Sequence, residues 1–271
     1  REGEKLGNTR YSQPLIYTLS SAVCDYLDDT SSIRLKASAV VGHSLGEYTA
    51  LYGAGAYSFA QGLELVDFRA KIMAEENRAA NGMMAAVLSR DIGKIKDIVQ
   101  KNNVYIANYN DYSQYVISGQ EKNIKSAIKE LRSNGIRKAI PLKVNIASHC
   151  PLMEGVAGRL ANYLLKNVKM KGTAIPFYSS TKGKFVDKEN IKAALTQQLV
   201  MPIKWLDTVL FLLQSGYEVF IEIGPKTVLA NLVKRISKHA GRKARVFNTD
   251  SMEDIKFLQN YLKGENNPNE T

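Results

Sequence analysis

Val40-Val41-Gly42-His43-Ser44-Leu45-Gly46-Glu47-Tyr48 is the stretch whose reading decides the fold. A strand-forming apolar run over residues 37–41 precedes it and a helix-compatible run over residues 45–52 follows. Gly42-x-Ser44-x-Gly46 therefore falls where a strand gives way to a helix, the context of a nucleophile elbow. Both glycines are expected to be required, because a side chain at either would collide with the neighbouring strand or helix. The turn would expose the Ser44 hydroxyl and aim the backbone N–H of Leu45, at the helix's positive end, where an oxyanion forms. The competing reading is a Gly-Ser-Gly turn that only punctuates the chain. The flanking strand and helix favour the nucleophile.

Outward from the elbow, residues 13–26 read as an amphipathic helix with Leu15, Leu19, Val23 and Tyr26 on its buried face. A second helix fits residues 58–76, capped by Ser58, with Leu63, Val66, Ile72 and Met73 inward. Arg69 lies within that apolar stretch. A buried arginine is costly without a partner, so it should meet either an anionic ligand or a local carboxylate such as Glu47, Glu64 or Asp67.

From residue 83 to 144 the pattern changes to β-α-β-β-α-β: strands at 84–88, 104–108, 115–118 and 138–144, helices at 92–101 and 123–133. That order is the ferredoxin-like split βαβ, which closes on its own small sheet and is expected to be an insertion. The division is then a large α/β catalytic part, residues 1–81 and 146–263, a ferredoxin-like part, residues 82–145, and a flexible tail, residues 264–271. The cleft between the two parts is the natural site. Strands at 175–179, 219–223 and 244–247 alternate with helices at 152–166, 189–198, 203–214 and 227–238. Such alternation implies an α/β, hydrolase-like core with a mainly parallel sheet.

The 271 residues and 45% apolar content allow a full core. No apolar run is long enough for a transmembrane helix, and the opening Arg1-Glu2-Gly3-Glu4-Lys5 is neither a signal peptide nor a methionine start, so a longer protein is expected to precede it. Cys24 and Cys150 have no metal-ligand or redox spacing, consistent with a reducing cytoplasm. The net charge of +11 suits an acidic partner. The basic residues are scattered, with no nucleic-acid-binding signature, so nucleic acid is not expected.

A serine nucleophile needs a base, and the chain has three histidines. His43 adjoins Ser44 on the turn and should point away, in a structural role. His239 lies at a basic helix end. His149 directly follows the inserted unit and precedes a proline-initiated helix, where the chain crosses the cleft, and is the candidate base. No acid near it completes a triad. A hydrolase order of Ser44, then Asp187 or Asp207, then His239 is the alternative.

Gly42-His43-Ser44-Leu45-Gly46-Glu47-Tyr48, Arg69, Ser148-His149-Cys150-x-Leu152-Met153, Gln198-Leu199-x-x-Pro202-x-x-Trp205 and Glu222-x-Gly224-Pro225-x-x-x-Leu229 together resemble the bacterial malonyl-CoA:acyl carrier protein transacylase family. The resemblance runs from about residue 9 to residue 236, in the family's order and spacing. It implies malonyl transfer from malonyl-CoA to the phosphopantetheine thiol of acyl carrier protein, for fatty acid synthesis, through a malonyl-serine. It further implies that Ser44 is acylated, that His149 is the acid and base, that the Gln198 backbone carbonyl orients His149, and that Arg69 binds the malonyl carboxylate. An acetyl group would leave that cation bare, a penalty of several kcal/mol. No metal or bound cofactor is implied; the expected protein is cytoplasmic, monomeric and not membrane-bound. The family's opening Gly-Gln-Gly turn, a second oxyanion donor, has no counterpart, as the sequence starts roughly 50 residues too late for it. An acyltransferase serving a polyketide synthase and an acyl hydrolase share the chemistry; a non-catalytic carrier-protein docking module is the alternative of another class.

Overall fold

The computed structural model describes residues 8–144 and 146–264. The opening pentapeptide and the tail expected after Gly264 lie outside them. In chain order, α1 (Thr9–Ser31) and the short α2 (Ile33–Lys36) lead to β1 (Val40–Val41), the elbow and α3 (Gly46–Gly53). Ser58 caps α4 (Phe59–Ala80) by accepting from the Gln61 N–H at 3.3 Å. There follow β2 (Gly82–Leu88), α5 (Ile92–Lys101), β3 (Tyr105–Asp111), β4 (Gln114–Gln120), α6 (Glu121–Ser133) and β5 (Ala139–Pro141). A 3-10 turn at Pro151–Met153 opens α7 (Glu154–Asn167). The chain continues through β6 (Phe177–Ser179), β7 (Lys184–Phe185), α8 (Lys188–Gln198), α9 (Trp205–Gln214), β8 (Val219–Glu222), α10 (Val228–His239), β9 (Arg245–Asn248) and α11 (Met252–Lys263).

β2 to β5 form an antiparallel sheet in the order β3-β4-β2-β5, covered by α5 and α6. Ile95, Ile117, Ile124 and Leu131 are fully buried in a core that belongs to this sheet and its two helices. β5 is shorter than the expected 138–144: its pairing with β2 stops at Pro141, apart from one bond from the Leu142 N–H to the Met84 carbonyl. The freed chain then runs toward His149.

Instead of one mainly parallel sheet there are two pieces. β1 pairs in parallel with β6, to which β7 adds an antiparallel edge, and β8 pairs in parallel with β9. Among the described residues no backbone hydrogen bond joins the pieces; Val41, Phe220 and Val246 meet only through side chains in one apolar cluster. Among the described residues β1 and β8 each have a single bonded edge.

The helix expected at 13–26 forms, but with the opposite face inward. Leu15, Leu19 and Tyr26 are exposed and Val23 is partly buried against the cluster of Leu27, Phe247 and Leu258, while Gln13, Tyr17, Ser20, Ser21, Cys24 and Leu27 are buried. The cause is close approach. A Cβ built on Gly224 would lie 2.5 Å from Ser20 Oγ, and one on Gly53 would lie 3.4 Å from Cys24 Sγ, so positions 20 and 24 of this face must carry small side chains. α2, β7 and α11 were not expected from the sequence; α11 begins with a capping box between Ser251 and Asp254.

Candidate active site

The elbow holds Ser44 at φ 51°, a left-handed conformation costing about 1–3 kcal/mol for a residue with a Cβ. A Cβ on Gly42 would lie 2.1 Å from the Glu47 backbone nitrogen, so glycine is obligatory there. Gly46 differs from expectation: nothing described lies within 4 Å of a Cβ at that position. The Leu45 N–H, at the start of α3, has no acceptor among the described residues and is free for an oxyanion.

His149 is brought to the same place from the other side, also in the left-handed region at φ 61°. Its backbone N–H donates to Leu199 O at 2.9 Å, and its Nδ1–H donates to the backbone carbonyl of Gln198 at 2.7 Å. That bond fixes the tautomer, leaving Nε2 with a lone pair. Burial pushes the imidazole down to about 3, opposed by the Gln198 carbonyl and reinforced by Arg69 and His43. It is therefore neutral and able to accept a proton at ordinary pH. No hydrogen bond joins the ring to Ser44 Oγ, which accepts from Arg69 Nη2 at 3.1 Å.

Arg69 is 1% exposed. Its guanidinium donates to Gln13 Oε1, to Ser44 Oγ and, at 3.4 Å, to Gln198 Oε1, and it lies 5.2 Å from the centre of the Tyr48 ring. Every partner is neutral, and Arg69 Nε has no hydrogen-bond partner among the described residues. None of the carboxylates weighed for it forms an ion pair with it: Asp67 is taken by Arg10, Glu64 is exposed, and Glu47 binds Ser179, Ser180 and Gln198. Burial lowers the arginine's affinity for its proton, with Tyr48 and Glu47 acting the other way. The site thus holds a desolvated cation beside a serine hydroxyl, a free helix-end N–H and a neutral imidazole. Such a set can attack an acyl carbon, hold the resulting oxyanion and bind an acyl group that itself carries an anion.

The chain matches the acyl transferase domain family over residues 1–266. It belongs to that family. The acyl transferase is 34% identical over 271 residues to the malonyl CoA-acyl carrier protein transacylase of Bacillus subtilis, covering 98% of this chain and 83% of that one. It superposes with a TM-score of 0.89, at 30% identity, on the malonyl-CoA:acyl carrier protein transacylase of Xanthomonas oryzae pv. oryzae, covering 96% of this chain and 82% of the other. A malonyl-transacylase solved in complex with a type II PKS acyl-carrier protein gives a TM-score of 0.84 at 30% identity, covering 97% and 83%.

The other histidines of the acyl transferase stand apart from the chemistry. His43 Nε2 lies 3.0 Å from Asn110 Oδ1 and 3.3 Å from Asn108 Nδ2, with its ring edge-on to Trp205, so it ties the elbow to β3 as a structural residue. His239 is exposed against the Tyr112 ring, and Asp187 and Asp207 are exposed; among the described residues no hydrogen bond links any of them to Ser44. The hydrolase order is not assembled. Sequence reading missed two residues that touch Arg69 or its partners. Gln13 carries a signal in retrospect: with Ser20, Ser21 and Cys24 it lies on a helical stripe of polar and small residues, interrupted by Tyr17. Glu47 was weighed only as a partner for Arg69 and instead lies behind Gln198.

Proposed function

We propose that this acyl transferase moves a malonyl group from malonyl-CoA to the phosphopantetheine thiol of acyl carrier protein through a malonyl-Ser44 intermediate. One observation carries the substrate assignment: a buried guanidinium with only neutral partners, an unpaired Nε and a direct hydrogen bond to Ser44 Oγ. Its planar fork suits a carboxylate at the far end of a three-carbon acyl group.

In the proposed sequence, His149 Nε2 takes the Ser44 proton as Oγ attacks the thioester carbon. The Leu45 N–H receives the oxyanion, and the protonated imidazole then returns the proton to the departing coenzyme A sulfur. The carrier's thiol gives its proton to His149 and attacks the ester, and Ser44 recovers a proton as it leaves. No third acid is needed, because the Gln198 carbonyl orients the ring and fixes the tautomer. No cofactor takes part.

The fold supports a finer description. Residues 82–145 read as a ferredoxin-like unit inserted into a hydrolase-like α/β part, and the site lies where they meet. The acyl carrier protein named for the relatives is the partner we assign, in keeping with the net charge of +11. Among the described residues no helix is long and apolar enough to cross a membrane; the enzyme we propose is a cytoplasmic monomer of fatty acid synthesis.

Peptide mass spectrometry after brief exposure to malonyl-CoA or acetyl-CoA tests this reading. A malonyl adduct on the Ser44 peptide is expected, absent in Ser44→Ala and His149→Ala. Arg69→Ala should erase the preference for malonyl over acetyl. An unchanged preference in that variant would sink the carboxylate assignment.

A further inference from the structure

We infer that Glu47 is a positioning residue for acyl selectivity: its carboxylate decides which atom of the Gln198 amide faces Arg69. The inference rests on the reading of Arg69 as the carboxylate-binding group. Glu47 is fully buried in the first turn of α3. Its Oε1 accepts from the Ser180 N–H at 2.9 Å and from Ser179 Oγ at 3.2 Å, and lies 3.1 Å from Ser180 Oγ, whose single proton is shared between Oε1 and the Gly42 carbonyl at 3.0 Å. Its Oε2 accepts from Gln198 Nε2 at 2.6 Å, the short distance of a bond to a charged acceptor.

The consequence runs through the geometry of an amide. Gln198 Nε2 spends its two hydrogens on Glu47 Oε2 and, at 3.0 Å, on the Ser44 carbonyl. Gln198 Oε1 is thereby turned toward Arg69 Nη2, 3.4 Å away. A flipped amide has the same shape but would face the guanidinium with donors, and both groups would lose their bond. Only a carboxylate accepts at both oxygens while still meeting the serine donors. A glutamine at position 47 must offer an N–H at one of them, and the arrangement favours the flip. Glu47 thus acts two residues away from the substrate, by keeping the cation's fork aimed beside Ser44.

Charge acts in the same network. Of the groups facing Glu47, those from β6 and the turn after it, Ser179 and Ser180, are neutral, as is Gln198 from α8; Tyr48 on α3, Tyr57 between α3 and α4, and Arg69 on α4 are the titratable or charged ones among the described residues. Burial pushes the Glu47 carboxyl up to about 7 in spite of the hydrogen bonds from Gln198, Ser180 and Ser179. A proton on Oε2 would take away the acceptor that Gln198 needs.

The test is the rate of Ser44 acylation by malonyl-CoA and by acetyl-CoA, read by intact mass, in the wild-type protein, Glu47→Gln and Glu47→Asp, with thermal midpoints alongside. Glu47→Gln should lower the malonyl rate about tenfold, the worth of one hydrogen bond to a charged group, and leave the acetyl rate within about twofold. Glu47→Asp keeps the charge but is too short to reach Gln198, and should lose the preference in the same way. In the wild type the malonyl preference should fall on acidification between about pH 8 and 6, since effects on Ser44 and His149 cancel in the ratio of the two donors. Rates that fall together for both donors, in step with the thermal midpoint, would overturn the positioning role, as would an unchanged ratio in both variants. A wild-type protein without malonyl preference would remove the Arg69 reading and this inference with it; a selective wild type with equally selective variants removes the inference alone.

Discussion

The inserted sheet and α1 make an instructive pair. Residues 82–144 bury a conventional apolar core, and there the order of strands and helices is the one hydrophobic periodicity gives, with β5 ending early at Pro141 and β3 running on to Asp111. α1 is just as regular a helix, yet its apolar stripe faces outward and its polar stripe inward. The difference is what each face must do. Ile95, Ile117 and Ile124 only have to fill space between one sheet and two helices. Gln13 has to accept from a buried guanidinium, and Ser20, Ser21 and Cys24 have to let Gly224, Gly53 and their neighbours come close. Periodicity gives the side of a helix that is chemically alike; it does not say which side is buried.

The largest effect that would break this contrast lies in the inserted core. Ile117→Ala removes a fully buried side chain and should cost about 2–5 kcal/mol, read from urea unfolding. A smaller loss would mean that this core is loosely packed. Next comes a pair of buried titratable groups at the candidate site, His149 and Glu47. Below about pH 6.5 the unfolded chain binds a proton that native His149, held down to about 3, refuses, so His149 makes the fold less stable as pH falls. Between about 4.5 and 7 native Glu47 keeps a proton that the unfolded chain has released, so Glu47 makes the fold less stable as pH rises. Across about pH 4.5 to 6.5 these opposite trends offset each other in the wild type. In His149→Gln only the Glu47 trend is left, so relative to wild type its stability should decline with rising pH by about 1.4 kcal/mol per unit. Urea titrations at several pH values check the slope, and parallel profiles would refute it.

Gln13→Leu sharpens the comparison, since it makes α1 more apolar at a buried position. It should nevertheless destabilise by about 1–3 kcal/mol, because Arg69 Nη1 loses its acceptor in a desolvated site. A neutral or stabilising outcome would show that the polar stripe is incidental. The smallest effect belongs to the exposed side: Leu19→Ala should change stability by no more than about 0.5 kcal/mol.

These contrasts mark what the sequence made legible. The elbow was readable because Gly42, Ser44 and the change from strand to helix are local, and His149 because its position after the inserted unit could be placed without knowing the packing. Arg69 stood out as a charge in an apolar run, but its pairing was undecided, because Glu47, Glu64 and Asp67 all lie within reach in sequence. The separation of β1 from β8, the inward face of α1 and the Glu47–Gln198 contact depend on residues far apart in the chain. Even the Gly46 expectation failed for this reason, since whether a Cβ meets a neighbour depends on what packs there.

His43 has a mechanical meaning beyond its static bonds. Its ring is fastened to Asn108 and Asn110 on β3 and rests against Trp205 at the start of α9, while its backbone forms one arm of the turn that carries Ser44. A tilt of the inserted sheet is thereby geared to the pitch of the nucleophile.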